Sequence, residues 1–224
     1  MIYDQRLLDI AKVILGQPLV YYGNSTCLLD LNGGYGGYGY HKDNADVSDP
    51  KAPDWRSQYT IIRMGIYLQD HRRHSGGLNV RVGSHNIVDM TSGKNAYLGT
   101  SIGDVAVWSF RTSHSARGRL LRMIPSLELE PETAYRLPNF LFRPMDRERI
   151  ALFISYGLND EHLNRYINYV KTRKYMIEMW SNSYYSSEVL KLAEENGLIV
   201  KDVWNEIKHE IGLGVNEMYA PIPY

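Results

Sequence analysis

The sequence predicts a mainly β domain with one helix ahead of it and several behind, and three observations carry that expectation. Between Pro18 and about Tyr156, short runs of β-branched and aromatic residues are separated by clusters of Gly, Asn, Asp and Ser. Ahead of that stretch, and again after Gly157, apolar residues recur at helical spacing. The order is therefore helix, many strands, then helices. That suits a sandwich or barrel with helical additions and not a series of alternating βα units. A chain of 224 residues suits one domain. It is read as a core over residues 1–157, N-terminal helix included, and a C-terminal helical extension of the same domain over 158–224.

Each element has a local cause. From Asp4 to Leu15 the apolar positions are Leu7, Leu8, Ile10, Ala11, Val13, Ile14 and Leu15, and Gly16 supplies the stop. Strands are expected at Leu19–Tyr22, Tyr59–Leu68, Leu78–Val82, Val105–Phe110 and Ile150–Tyr156. After Gly157, Asn159 and Asp160 offer an N-cap. Leu163, Ile167, Val170, Met176, Met179 and Trp180 then follow at roughly helical spacing. Further helices are expected from Ser187 to Asn196, stopped by Gly197, and from Asp202 to Ile211, stopped by Gly212. There is no internal repeat and no low-complexity linker.

Composition narrows the function classes. Lysine plus arginine equals aspartate plus glutamate, 25 of each, so no global charge points to nucleic acid or a charged membrane. The one cysteine, Cys27, allows neither an intramolecular disulfide nor a Cys-rich zinc site. No apolar run approaches the roughly 20 residues of a membrane span. The start, Met1 to Arg6, lacks the basic-then-apolar order of a signal peptide. The expectation is a soluble, cytoplasmic protein with a small-molecule substrate and no nucleic-acid or membrane partner.

Two distant signals could together build a metal site. His41-Lys42-Asp43 places an imidazole and a carboxylate two residues apart, and on a strand residues i and i+2 point to the same side. His114 lies beyond a strand-like run and could add a second imidazole. Two imidazoles and one carboxylate compose the facial triad that leaves three positions open on non-haem Fe(II). The plainer alternatives are a His–Asp hydrogen bond at a strand end and an ordinary histidine beside an Arg-rich loop. The Gly-rich run from Gly33 to Tyr40 matches neither phosphate-binding pattern and reads as a connection feeding the strand.

Three further segments resemble the phytanoyl-CoA dioxygenase-like family. Gly76-Gly77-Leu78 and Gly83-Ser84-His85 match a segment of that family, with Val82 in place of the usual proline. Gly103-Asp104 opens a strand that leads to His114, as in the family, with Trp108, Phe110, Thr112 and His114 expected on one face. Arg149-Ile150-Ala151-Leu152 resembles its closing strand. The likeness covers roughly Asp4 to Gly157, and the chain beyond matches nothing.

The resemblance implies a double-stranded β-helix, the jelly-roll or cupin-like core, holding Fe(II) through His41, Asp43 and His114, with His85 not a ligand. It implies 2-oxoglutarate and O2 as cosubstrates. Arg149 would fork onto the distal carboxylate of 2-oxoglutarate, and Ser115 would touch it. A guanidinium suits a carboxylate because its parallel N–H donors match it. Arg149 comes 35 positions after His114, much further than is usual, so Arg147, Arg117, Arg119 and Arg122 are rivals. An intact Asp43 favours hydroxylation over halogenation. Two other readings use the same residues: a non-catalytic jelly-roll binding module, and a cupin-type metal-dependent isomerase or hydrolase.

Overall fold

Helix ends show how local chemistry sets the elements. Asp4 caps the first helix by accepting a hydrogen bond from Arg6 N, and Gly16 closes it at φ 94° with its N–H on Lys12 O. The computed structural model describes residues 2–30, 39–145 and 149–209. Three expectations lie outside the described residues: the run Gly33 to Tyr38, Arg147 with its neighbours, and the helix end at Ile211-Gly212.

In chain order the elements are α1 (Gln5–Leu15), β1 (Leu19–Tyr21), β2 (Ser25–Asp30), β3 (Ile61–Tyr67), β4 (Gly77–Val82), β5 (Lys94–Leu98), β6 (Val105–Ser109) and β7 (His114–Gly118). There follow α2 (Pro131–Arg136), β8 (Arg149–Leu158), α3 (Glu161–Val170), α4 (Lys174–Ser181), α5 (Ser187–Glu195), β9 (Leu198–Val200) and α6 (Val203–Ile207). Strands and helices take similar shares of the described chain, a more even mixture than the mainly β expectation. The five expected strands all form. Four more do as well: β2, β5, β7 and β9. The helical run after Gly157 is two helices, because Val170 and Met176 are six residues apart and the stripe slips between them.

The described chain divides into two compact units, and β3 and β8 each run through both. One unit comprises residues 2–25, 58–63 and 154–209. In it β1 pairs antiparallel with the end of β8, Leu19 opposite Leu158, and parallel with β9, Leu19 opposite Leu198. Leu8, Leu19, Tyr22, Ile154, Leu163 and Trp180 are fully buried there. The Trp180 indole donates to Tyr22 O at 3.0 Å. Asp160 caps α3 by accepting from Leu163 N, and also accepts from the Thr60 hydroxyl at 2.6 Å.

The other unit comprises residues 26–30, 39–57, 64–145 and 149–153. It holds a three-stranded sheet in the order β5-β4-β7, and β3 lies between β6 and β8. Tyr67, Leu78, Val80, Ala106, Trp108 and Ala151 form one apolar cluster, with Ala96, Leu98 and Phe153 packed on it. Those residues come from both sets of strands, so this cluster marks the interior face of each. The alternate residues of β4, Asn79 and Arg81, therefore point to the other face.

β7 carries a bulge. Asn79 pairs with Ser115 and Gly77 with Gly118, so two steps on β4 answer three on β7. Arg117 sits inside the bulge at φ 61°. Just after it, a Cβ on Gly118 would lie 2.2 Å from Asn79 Oδ1 and 2.7 Å from the Tyr97 ring. We expect Gly118→Ala to destabilise the protein by about 1–3 kcal/mol, the usual cost of forcing atoms into a packed site. Urea denaturation measures it; an unchanged midpoint would mean that Asn79 and Tyr97 yield freely.

Candidate metal centre

Two backbone hydrogen bonds bring the distant histidines together. His41 N donates to His114 O and His114 N donates to His41 O, each at 2.9 Å. This is an antiparallel hydrogen-bonded pair, and residues directly opposite in such a pair send their side chains to the same face. The imidazole centroids are 4.2 Å apart. Two residues on, Asp43 N donates to Phe110 O at 2.8 Å, which keeps the chain extended and returns Asp43 to the side of His41. On its other edge His114 pairs with Val80 of β4, an interior residue, so the three side chains meet at the interior face.

The expected route into His114 needs one correction. β6 ends at Ser109, and Thr112 N bonds Ser109 O at 2.8 Å in a turn before His114 opens β7. Trp108, Phe110, Thr112 and His114 are therefore not one continuous strand face. Trp108 and His114 still meet, with ring centroids 5.5 Å apart, but through a turn and not through parity.

The three side chains could hold a metal ion. Donor atoms of His41, Asp43 and His114 all lie within 4.8 Å of one another. His41 Nε2 is 3.9 Å from Asp43 Oδ1, and His114 Nε2 is 3.6 Å from Asp43 Oδ2. Two metal–ligand bonds of about 2.1 Å separate two donors by at most about 4.2 Å, and both distances fall inside that limit. His114 Nδ1 lies 3.0 Å from the carbonyl oxygen of Thr112. A carbonyl only accepts, so Nδ1 carries a proton, and Nε2, the nitrogen that faces Asp43, is the one that would bind a metal. The His41 and Asp43 side chains keep 19% and 11% exposure against 6% for His114, so the centre opens on the side of His41. Among the described residues this is the one such cluster.

Arg149 faces the same interior. It opens β8 two residues before Ala151, which belongs to the apolar cluster. The side chain is buried; its Nε donates to Gly76 O at 2.9 Å and its guanidinium lies 6.0 Å from the Tyr67 ring. A file of rings links it to His114. Tyr67 is 6.3 Å from Phe153, Phe153 is 6.2 Å from Trp108, and Trp108 is 5.5 Å from His114. Gly65 lets this wall close, since a Cβ there would stand 3.0 Å from Phe153 and 3.1 Å from Trp108.

The rival arginines hold other positions. Arg119 donates to Ala134 O and Asn139 Oδ1 and stacks 3.8 Å over Phe142; Arg122 donates to Phe142 O. These two fasten the 120–145 segment to itself. Arg117 is buried at the bulge. Ser115 is not brought to the His41, Asp43 and His114 cluster: alternation turns it to the other face, opposite Asn79, where its hydroxyl donates to Ala116 O. His85 is exposed beside Asn86, away from the cluster.

A layer of buried polar groups, invisible to sequence reasoning, lies behind the dyad. Lys42 is buried, and its ammonium donates to Ser84 O at 2.9 Å and Arg111 O at 2.6 Å, with the Trp55 ring 5.5 Å away. Burial first, and the Arg111 charge second, lower its pKa to about 8, so it stays protonated at neutral pH. Asn44 donates to Asp54 Oδ2 at 3.0 Å, and Arg111 donates to Asp54 O at 2.6 Å. Parity alone turns Lys42 and Asn44 away from the ligands; nothing in the sequence says that they are buried.

No protein-family model and no curated protein matches the chain. Solved structures similar to it include EvdMO1, 21% identical over 69% of this chain and 31% of that one, with a TM-score of 0.43. Another is SnoN, described as a non-haem α-ketoglutarate-dependent epimerase from nogalamycin biosynthesis, 17% identical over 70% of this chain and 56% of that one, TM-score 0.47. A third is EctD from S. alaskensis, solved with 2-oxoglutarate and 5-hydroxyectoine, 17% identical over 70% and 50%, TM-score 0.44. The chain spans about a third to a little over half the length of these proteins. Likenesses this loose establish no activity.

His114→Ala is expected to weaken Co(II) or Fe(II) binding by more than the about 10- to 100-fold typical of lost outer partners. His85→Ala should leave it unchanged. Calorimetric titration of the apoprotein distinguishes them, and equal affinities in the two variants would dissolve the proposed ligand set.

Proposed function

We propose that the chain is an Fe(II)- and 2-oxoglutarate-dependent dioxygenase that hydroxylates an unactivated C–H bond of a small-molecule metabolite. In the same reading its core is a double-stranded β-helix of the phytanoyl-CoA dioxygenase-like kind. The observation that carries this is the convergence of His41, Asp43 and His114 at an interior that also contains a buried arginine. Two imidazoles and a carboxylate occupy one face of an ion and leave three positions open. Bound iron would supply O2 activation that couples conversion of 2-oxoglutarate to succinate and CO2 with insertion of one oxygen atom into the substrate C–H bond.

The chain's own residues then have distinct tasks. Arg149, its guanidinium plane set by the Nε bond to Gly76 O, meets the distal carboxylate of 2-oxoglutarate. The wall of Trp108, Phe153 and Tyr67 keeps water from the space between that carboxylate and the ligands. Asp43 fills the ligand position that a halide would require, which favours hydroxylation.

Adding Fe(II) and 2-oxoglutarate without oxygen should produce a weak visible charge-transfer band. Its absence would remove the oxygenase reading and favour a cupin-type isomerase or hydrolase, or a binding module. Arg149→Ala should raise the Kd for 2-oxoglutarate by about tenfold or more, as the loss of a charge-assisted pair predicts, with metal affinity intact. Unchanged 2-oxoglutarate affinity would move the carboxylate partner to Arg117 or Arg147.

A further inference from the structure

We propose that Lys42, whose side chain points away from the metal ligands, is the positioning residue of the centre. It locks the segment that carries His41 and Asp43 to the segment that carries His114. The inference rests on the metal reading of those three residues.

The ligands come from two stretches of chain, 41–43 and 110–114. Three backbone hydrogen bonds join them: the pair between His41 and His114, and the bond from Asp43 N to Phe110 O. Lys42 adds a fourth tie, from Nζ to Arg111 O at 2.6 Å, one residue beyond Phe110. Its second bond, to Ser84 O at 2.9 Å, brings in a third stretch. Ser84 is itself fastened to the same region: its hydroxyl accepts from Ser113 N at 2.9 Å and donates to Arg81 O at 2.7 Å. Arg81 N in turn donates to Ser113 O at 2.9 Å.

One buried ammonium thus holds three stretches in register around His114. Each neighbour of Lys42 in sequence is a ligand, so a rotation at Lys42 moves both His41 and Asp43. The contacts are charge-assisted and sheltered from water, where such bonds are strongest. Arg111 completes the far side. It donates to Asp54 O, Ser57 O and Asn86 Oδ1, and its guanidinium lies 5.3 Å from the Trp55 ring. Outer partners of this kind orient ligands without touching the ion.

The test is Lys42→Met, which keeps the packing volume and removes the donors. Co(II) serves as the probe because its visible ligand-field spectrum reports ligand geometry. The expected result is a Co(II) Kd at least fivefold above wild type together with a changed spectrum at saturation, while the apoprotein melts cooperatively. A Kd raised less than fivefold, or an unaltered spectrum, overturns the inference. Should the methionine variant fail to fold, Lys42→Gln is judged by the same two criteria. Wild-type protein that binds no Co(II) would sink the metal reading and this inference with it. Binding by wild type with an unmoved variant would sink this inference alone.

Discussion

The pair of hydrogen bonds between the backbones of His41 and His114 is the constraint on which the centre depends. It puts an imidazole from an isolated extended segment directly beside one from a bulged strand. The pairing fixes the faces as well as the distance. Opposite residues in an antiparallel pair share a side, so forming the two bonds commits both rings to the interior. Asp43 follows because two residues restore the direction of a side chain in an extended chain. A slip of one residue in this pairing would turn His41 and Asp43 outward and Lys42 inward, replacing two ligands with one cation.

That risk explains why the even positions matter. His41 and Asp43 alternate with Lys42 and Asn44, and each pair has its own polar environment. The odd residues meet His114. The even residues meet the carbonyls of Ser84 and Arg111, the Asp54 carboxylate and the Trp55 ring. A register slip would leave a buried ammonium facing an apolar wall and take a charged donor from the Ser84 and Arg111 carbonyls, both costly. The segment is short and forms only an isolated bridge. This two-sided side-chain demand reinforces the register that the backbone pair sets.

Legibility followed the physics of each element. β3, β4, β6 and β8 are rich in Ile, Val, Leu and aromatic residues because an apolar cluster covers one face, and the sequence displays that burial. β7 reads His-Ser-Ala-Arg-Gly and β5 reads Lys-Asn-Ala-Tyr-Leu. Neither is β-branched. They become strands because β4 lies between them and offers a ladder on each side, a tertiary cause that local pattern cannot register. The site divides in the same way. Spacing marks His41 and Asp43 as a candidate pair, motif resemblance adds His114 and Arg149 as candidates, and the fold brings the first three together. Ser115 lies opposite Asn79, on the face of β7 turned away from His114, and adjacency in sequence alone carries no information about that face. Lys42 carries no such signal, because a lysine's burial depends on carbonyls from stretches far along the chain.

The long interval between His114 and Arg149 looks in sequence like an obstacle to placing both at one site. The structure removes it by giving the interval its own internal bonds. Arg143 N donates to Leu120 O and Arg122 N donates to Leu141 O, so the segment folds back and its two ends lie side by side. Arg119, stacked on Phe142 and bonded to Ala134 O, pins the included helix α2 from within. Closing a loop costs only slowly more as the loop lengthens, and here the closure is repaid by bonds inside the excursion. What returns to the interior is the register that matters: Arg149, Ala151 and Phe153 on one face of β8, joined through Phe153 and Trp108 to His114. Spacing along the chain is therefore a weak guide to this site. Face and register are the strong ones.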